Sequence, residues 1–128
     1  MNPTNVVLHK KSRRLELQYA EHDPIVLDAE YLRVYSPSAE VRGHHPSQAQ
    51  LQYGKKNVGI TSLTPSGNYA VQINFDDGHN SGIYSWDYLF ELGTQYDEYW
   101  SKYLDQLNNE GKNRDPDVQV VQLIDPKN

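Results

Sequence analysis

The sequence predicts an α+β fold: a small, mainly antiparallel sheet, built from an N-terminal hairpin and a three-stranded meander, packed with two or three helices. Three observations carry this reading. Thr4 to Tyr19 holds two alternating arms around a charged turn, and Val58 to Tyr84 holds three strand-like runs separated by turn residues. Gln95 to Asn109 then repeats aromatic and leucine residues at helical spacing. A chain of 128 residues suits one domain with one core. That domain is expected over residues 1–112, with 113–128 as a C-terminal tail, either extended or disordered.

In the hairpin, Val6 and Leu8 alternate on one arm and Leu15, Leu17 and Tyr19 on the other, around Lys10-Lys11-Ser12-Arg13. Glu21-His22-Asp23-Pro24 breaks the pattern, because proline withholds a ladder donor and restricts the residue before it. Asp28 is placed to cap a short helix over Ala29 to Tyr35, with Leu27 and Leu32 as a hydrophobic staple. Pro37 ends it. Ser36 to Asn57 has no clear period, and so long a connection is uncommon in a compact domain unless it is functional, mobile or tied down.

In the meander, Val58 to Leu63 reads as a strand and Pro65-Ser66-Gly67-Asn68 as a turn. Tyr69, Val71, Ile73 and Phe75 alternate with Ala70, Gln72 and Asn74, the mark of a half-buried strand. Asp76-Asp77-Gly78-His79-Asn80 reverses the chain, and Gly82 to Tyr84 returns as the third strand. Ser85 is an N-cap candidate for a helix over Trp86 to Leu92, with Gly93 as its stop. Thr94 and Asp97 resemble a capping box for the last helix, whose stripe of Tyr96, Tyr99, Trp100, Tyr103, Leu104 and Leu107 is expected to pack on the sheet. A partner groove is the alternative for that stripe. Val118 to Ile124 is β-prone and suits a sheet edge, in this molecule or another, or disorder.

Composition excludes several function classes. Mean hydropathy is -0.82, and ten tyrosines and two tryptophans must supply much of the apolar area. No run approaches the roughly 20 apolar residues that span a bilayer, and the first residues lack the apolar stretch of a secretion signal, so the cytoplasm is the expected compartment and no membrane partner is expected. There are no cysteines, which rules out a disulfide scaffold, a thiolate nucleophile and a cysteine-rich metal site. A net charge of -5 argues against nucleic acid as a partner. Lys10, Lys11, Arg13 and Arg14 read as a solvated hairpin tip, with contact to an acidic partner or phosphate as the alternative.

No catalytic constellation emerges from spacing. His44 and His45 are adjacent, and neighbouring residues do not readily serve one metal; they read as surface histidines. Asp76, Asp77 and His79 bring carboxylates and an imidazole together, chemistry that suits a metal such as the iron of a two-histidine, one-carboxylate site. The plainer reading is a hairpin turn in which Asp and Gly satisfy turn geometry and His79 hydrogen-bonds locally.

Two segments together resemble a known family. Leu32-Arg33-Val34-Tyr35-Ser36-Pro37-Ser38-Ala39-Glu40-Val41-Arg42-Gly43-His44 is one, and Phe75-Asp76-Asp77-Gly78-His79 continuing through Ser81-Gly82-Ile83-Tyr84-Ser85-Trp86-Asp87-Tyr88-Leu89 is the other. They are similar to the gamma-butyrobetaine hydroxylase-like N-terminal domain, a domain of unknown function when it stands alone, over roughly residues 10 to 95. The resemblance implies a module that precedes the iron- and 2-oxoglutarate-dependent domain of carnitine-pathway hydroxylases, or accompanies ATPases that carry iron–sulfur clusters. It also implies a closed structural zinc site, three cysteines plus the histidine of Asp-Gly-His. Those cysteine positions fall here on Ser36, Ser38 and Val41, and the histidine on His79. The resemblance therefore implies a degenerate site, no metal and no cofactor, with Ser36 or Ser38 hydrogen-bonded near His79 and Val41 filling apolar space.

Three functions are weighed on this basis. The first is a non-catalytic accessory domain that binds an unidentified protein partner, with the resemblance pointing towards iron–sulfur assembly. The second is a metal- or small-ligand-binding protein, or small enzyme, centred on Asp76-Asp77-Gly78-His79 and linked to iron–sulfur or iron/2-oxoglutarate enzymes. The third is a sensor with a pocket between sheet and helix lined by tyrosines such as Tyr69 and Tyr84.

Overall fold

The computed structural model describes residues 1–43 and 45–116, which form two three-stranded antiparallel sheets and four α-helices. The first sheet has the order β1 (Asn5–His9), β2 (Arg14–Gln18), β3 (Ile25–Asp28); the second has the order β4 (Ile60–Ser66), β5 (Ala70–Phe75), β6 (Ile83–Ser85). Between the sheets in sequence lie α1 (Ala29–Val34), α2 (Ala39–Arg42) and a short 3-10 turn at Pro46–Gln48. After them come α3 (Trp86–Thr94) and α4 (Tyr96–Asn109).

Alternation decides which faces meet. Leu15 and Leu17 of β2, Ile25 and Leu27 of β3, and Val71, Ile73 and Phe75 of β5 all point inward and are buried, as the two-residue period of a strand requires. They share one core with Leu32, Tyr84, Leu89 and Leu92. A smaller cluster of Val34, Tyr103 and Leu107, with Leu51 packed against it, fixes the far part of α4.

The expected hairpin gains a third strand, because Ile25–Asp28 resumes pairing with β2 in the register Leu15↔Leu27 and Leu17↔Ile25. Asp28 does precede α1, but its carboxylate makes no cap bond; Arg14 Nε holds it at 3.0 Å instead. Ser85 caps α3 as expected, accepting from the Tyr88 N–H. Gly93 does not stop that helix but lies inside it. A Cβ there would come within 2.5 Å of Ile25 Cγ2, so glycine serves the contact between α3 and β3. Nor does Thr94 cap α4, since its hydroxyl donates back to the Phe90 carbonyl and Gln95 takes the cap position.

The turn after β4 falls at residues 67–69 and starts two residues later than the proline suggests, because Pro65 and Ser66 still pair with Val71 and Ala70. Proline is tolerated there because β4 is an edge strand. The irregular 36–57 segment is tied down by distant groups. The Tyr103 hydroxyl donates to the Gln52 carbonyl, and the Gly54 and Lys56 N–H groups donate to the carbonyls of Asn113 and Arg114. Arg114 in turn grips Glu30 through two bonds of 2.7 and 2.8 Å. The β-prone run Val118 to Ile124 lies outside the described residues.

Candidate functional site

Asp76-Asp77-Gly78-His79 closes the end of β5. The Gly78 N–H donates to the Phe75 carbonyl, the Phe75 N–H donates to the His79 carbonyl, and Gly78 takes a φ of +91°. Asp77 Oδ1 accepts from the His79 N–H at 3.1 Å, as an aspartate turn does. This geometry drives the His79 ring inward, leaving the residue 8% exposed.

There the ring meets the chain just past α1. His79 Nε2 lies 2.8 Å from Ser36 Oγ and 3.4 Å from Ser38 Oγ, and the two hydroxyl oxygens are 3.2 Å apart. The Ser38 N–H also donates to Ser36 Oγ. On the ring's other side, Nδ1 stands 3.7 Å from Glu40 Oε2, and Glu40 accepts from the Ser81 hydroxyl at 2.8 Å. Ser36 is 1% exposed, and a Cβ at Gly82 would sit 2.5 Å from its Oγ. Only glycine at position 82 lets β6 pass this close.

The second carboxylate oxygen of Asp77 takes another load. Arg33 Nε donates to it at 2.9 Å and Lys55 Nζ at 2.8 Å, so α1, the long loop and the turn meet at one atom. Burial alone would raise this carboxyl's pKa, but the Lys55 ammonium, the His79 N–H and the Arg33 guanidinium outweigh it and hold the pKa at about 2. Burial, helped by Arg33, pushes the His79 imidazole below its ordinary value, against the opposing pull of Glu40 and Asp77. At neutral pH the ring is therefore uncharged.

Serine, histidine and glutamate in this order resemble a nucleophile relay, but the geometry does not serve one. Ser36 is sealed from solvent, and 3.7 Å from Nδ1 to Glu40 exceeds a hydrogen bond. Asp76, Asp77 and His79 do not converge on a common point: Asp77 faces cations, His79 faces hydroxyls, and Asp76 is exposed. Among the described residues, no group of three or more His, Asp or Glu is placed to hold a metal ion. His9 pairs with Glu16 and His22 with the Asp23 carbonyl. His45 is exposed, and His44 lies outside the described residues. Tyr69 and Tyr84, the tyrosines named for a ligand pocket, do not line one together, since Tyr69 is 66% exposed while Tyr84 is fully buried. Arg33, Glu40, Lys55 and Ser81 were not singled out by the sequence; each reads there as an ordinary polar residue, and only the fold brings them to the turn.

Residues 6–90 match the family model for the gamma-butyrobetaine hydroxylase-like N-terminal domain. The chain belongs to that family. No curated protein matches it. Among solved structures, a protein 52% identical, determined in solution by NMR, superposes with a TM-score of 0.79 over 96% of this chain and 97% of its own. A second NMR solution structure is 41% identical, with a TM-score of 0.76 over 97% and 92% of the two chains. A crystal structure of a DUF971-family protein of unknown function from Acidithiobacillus ferrooxidans ATCC 23270 is 36% identical. It has a TM-score of 0.61 over 72% of this chain and 92% of that one.

For this gamma-butyrobetaine hydroxylase-like domain, the four positions that the resemblance assigns to zinc hold two neutral hydroxyls, one alkyl group and one imidazole, on Ser36, Ser38, Val41 and His79. That donor set does not fit a structural zinc, which takes thiolates, imidazoles or carboxylates. The imidazole nitrogen that would face such an ion lies instead at hydrogen-bonding distance from Ser36. Val41 is 7% exposed. No helix among the described residues is long and apolar enough to cross a membrane.

Proposed function

We propose that this chain is a non-catalytic accessory domain that binds a protein partner and carries no resident zinc. The observation that supports it is the closure of the clasp. The ionisable and nucleophilic groups around Asp77 and His79 are spent on one another, with Ser36 and His79 at 1% and 8% exposure. No reacting atom is offered to a substrate there. The surface offers apolar area instead: Tyr69 and Ile83 are 66% and 51% exposed. Tyr69 lies in the turn before β5, and Ile83 opens β6, an edge strand of the second sheet. Exposed aromatic and aliphatic side chains beside an open edge are the usual material of a protein contact. Family association directs the search for a partner to iron–sulfur proteins and iron/2-oxoglutarate enzymes first.

Affinity capture from native extract, run in parallel with the Ile83→Asp variant, tests this reading. The wild-type chain is expected to recover one defined protein in saturable amounts. The variant should lose it while keeping its melting temperature, because changes at exposed positions cost only about 0.5 kcal/mol. Recovery at background level, or turnover of 2-oxoglutarate by the chain supplied with iron, overturns the proposal. Tight stoichiometric zinc in a calorimetric titration overturns its zinc-free part.

A further inference from the structure

A groove of about 420 Å³ opens beside the clasp, between α2, the stretch from Ala49 to Gln52, and α4. That volume falls within the range of small-ligand sites. Its floor is apolar and fixed, with Val34 and Val41 each 7% exposed and Tyr103 2% exposed. Arg42 and Lys102 border it. Among the described residues, neither forms an ion pair with a carboxylate. Arg42 instead lies over the Tyr88 ring, 4.7 Å from its centroid, and that ring is pinned by its hydroxyl's bond to the Tyr35 carbonyl. Glu110 is the one acidic side chain on the lining.

Two other concavities among the described residues carry more carboxylate. The larger, of about 500 Å³, holds Arg14, already paired with Asp28 at 3.0 Å, and adds Asp97. The smaller, of about 280 Å³, sets two carboxylates, Asp28 and Glu30, among its cations Arg13, Lys56 and Arg114, and Arg114 is committed to Glu30. In a chain of net charge -5, two cations free of carboxylates above a rigid apolar floor make a local positive site. We propose that this groove binds a small organic carboxylate with a compact apolar body. Arg42 and Lys102 receive the carboxylate, and Val34, Val41 and Tyr103 cover the apolar body. Binding also braces the irregular loop through Leu51 and Gln52, next to the Ser36–His79 clasp.

The test is an NMR titration of the full-length, isotope-labelled chain with acetate, hexanoate, 4-phenylbutyrate and the neutral 4-phenylbutyramide. Saturable shifts are expected at Leu51, Gln52 and Tyr103 with hexanoate or 4-phenylbutyrate, at a Kd below ~1 mM. Acetate, lacking the apolar body, should bind far more weakly, and the amide should bind at least ~10-fold more weakly than its acid, because it forfeits the charge-assisted bonds. The R42Q/K102Q double variant changes two exposed side chains, so its fold should persist, checked by its melting temperature, and its affinity for the acid should fall at least ~10-fold. No saturable shift from any of the carboxylates, equal binding of acid and amide, or undiminished binding by the double variant overturns the proposal.

Discussion

Two regions of this molecule hold irregular chain in place, and they do so by different physics. On one side, the segment after α1 is fastened by a polar clasp: Ser36 and Ser38 at His79 Nε2, with Asp77 bridging Arg33 and Lys55. On the other, the helices are fastened by tyrosines, whose rings fill the core while their hydroxyls reach distant carbonyls. Tyr31 donates to Leu92, Tyr35 to Tyr99, Tyr84 to Leu32, Tyr88 to Tyr35 and Tyr103 to Gln52. The tyrosine region gains from apolar burial and hydrogen bonds together, whereas the clasp has hydrogen bonds and charge but little apolar area. Burial at roughly 25 cal/mol per Å² outweighs the net gain of about 1 kcal/mol per hydrogen bond once a whole aromatic ring is enclosed. The tyrosines should therefore dominate stability, and the clasp should set the shape of one loop.

The largest effect that separates the two regions is expected at Tyr84. The ring is fully buried, and burial holds its hydroxyl in the neutral, donating form. Tyr84→Ala should cost about 3–5 kcal/mol, the range for removing a buried aromatic ring. Tyr84→Phe, which keeps the ring but leaves the Leu32 carbonyl without its donor, should cost about 1–3 kcal/mol. Chemical denaturation measures both. If the two variants were equally destabilised, the hydroxyl rather than the ring would carry the site, and the contrast between the regions would disappear.

A smaller loss is expected at the clasp. His79→Ala leaves the buried Ser36 hydroxyl without its ring partner, at a cost of about 1–3 kcal/mol. Because Ser36 and His79 act through one bond, Ser36→Ala added to His79→Ala should cost much less than Ser36→Ala in the wild-type chain. Denaturation of the four proteins of that cycle gives the coupling directly. Strict additivity would mean that the 2.8 Å contact contributes nothing of its own.

The same contrast explains what was legible from sequence. The hairpin, α1, β5 and α4 could be read because periodicity is a local signal that their residues obey, whereas of the three expected caps only Ser85 makes its bond. β3 could not, since a four-residue strand behind Pro24 is defined by its pairing with β2 rather than by its own pattern. Gly93 misleads for a related reason, because the demand for glycine comes from Ile25, far away in sequence. At the clasp, spacing alone offered only a turn containing a histidine. The link from His79 to Ser36 and Ser38 became visible through the family resemblance, which supplied the long-range pairing that spacing lacks. Arg33, Lys55 and Glu40 stayed invisible, because a charged residue's partner is chosen by the fold.

The smallest expected effect is the most specific to the clasp, because it follows from protonation. Burial lowers the His79 pKa below the 6.5 of a free histidine, so as pH falls past about 6.5 the unfolded chain takes up this proton before the folded one does. The charges facing the ring are Glu40 and Asp77, which favour the imidazolium, and Arg33 and Lys55, which oppose it. Stability supplied by the neutral ring is therefore complete above pH 6.5 and declines as pH falls towards the folded-state value, with a slope below the limit of ~1.4 kcal/mol per pH unit for one proton. Asp77, held at about 2 against an ordinary 3.8, adds a separate loss as pH falls through its unfolded value towards its folded one. Denaturation midpoints of the wild-type chain should fall between pH 7 and 5, and those of His79→Ala should be flatter across that interval. Equal slopes in the two proteins would leave the clasp without a pH signature.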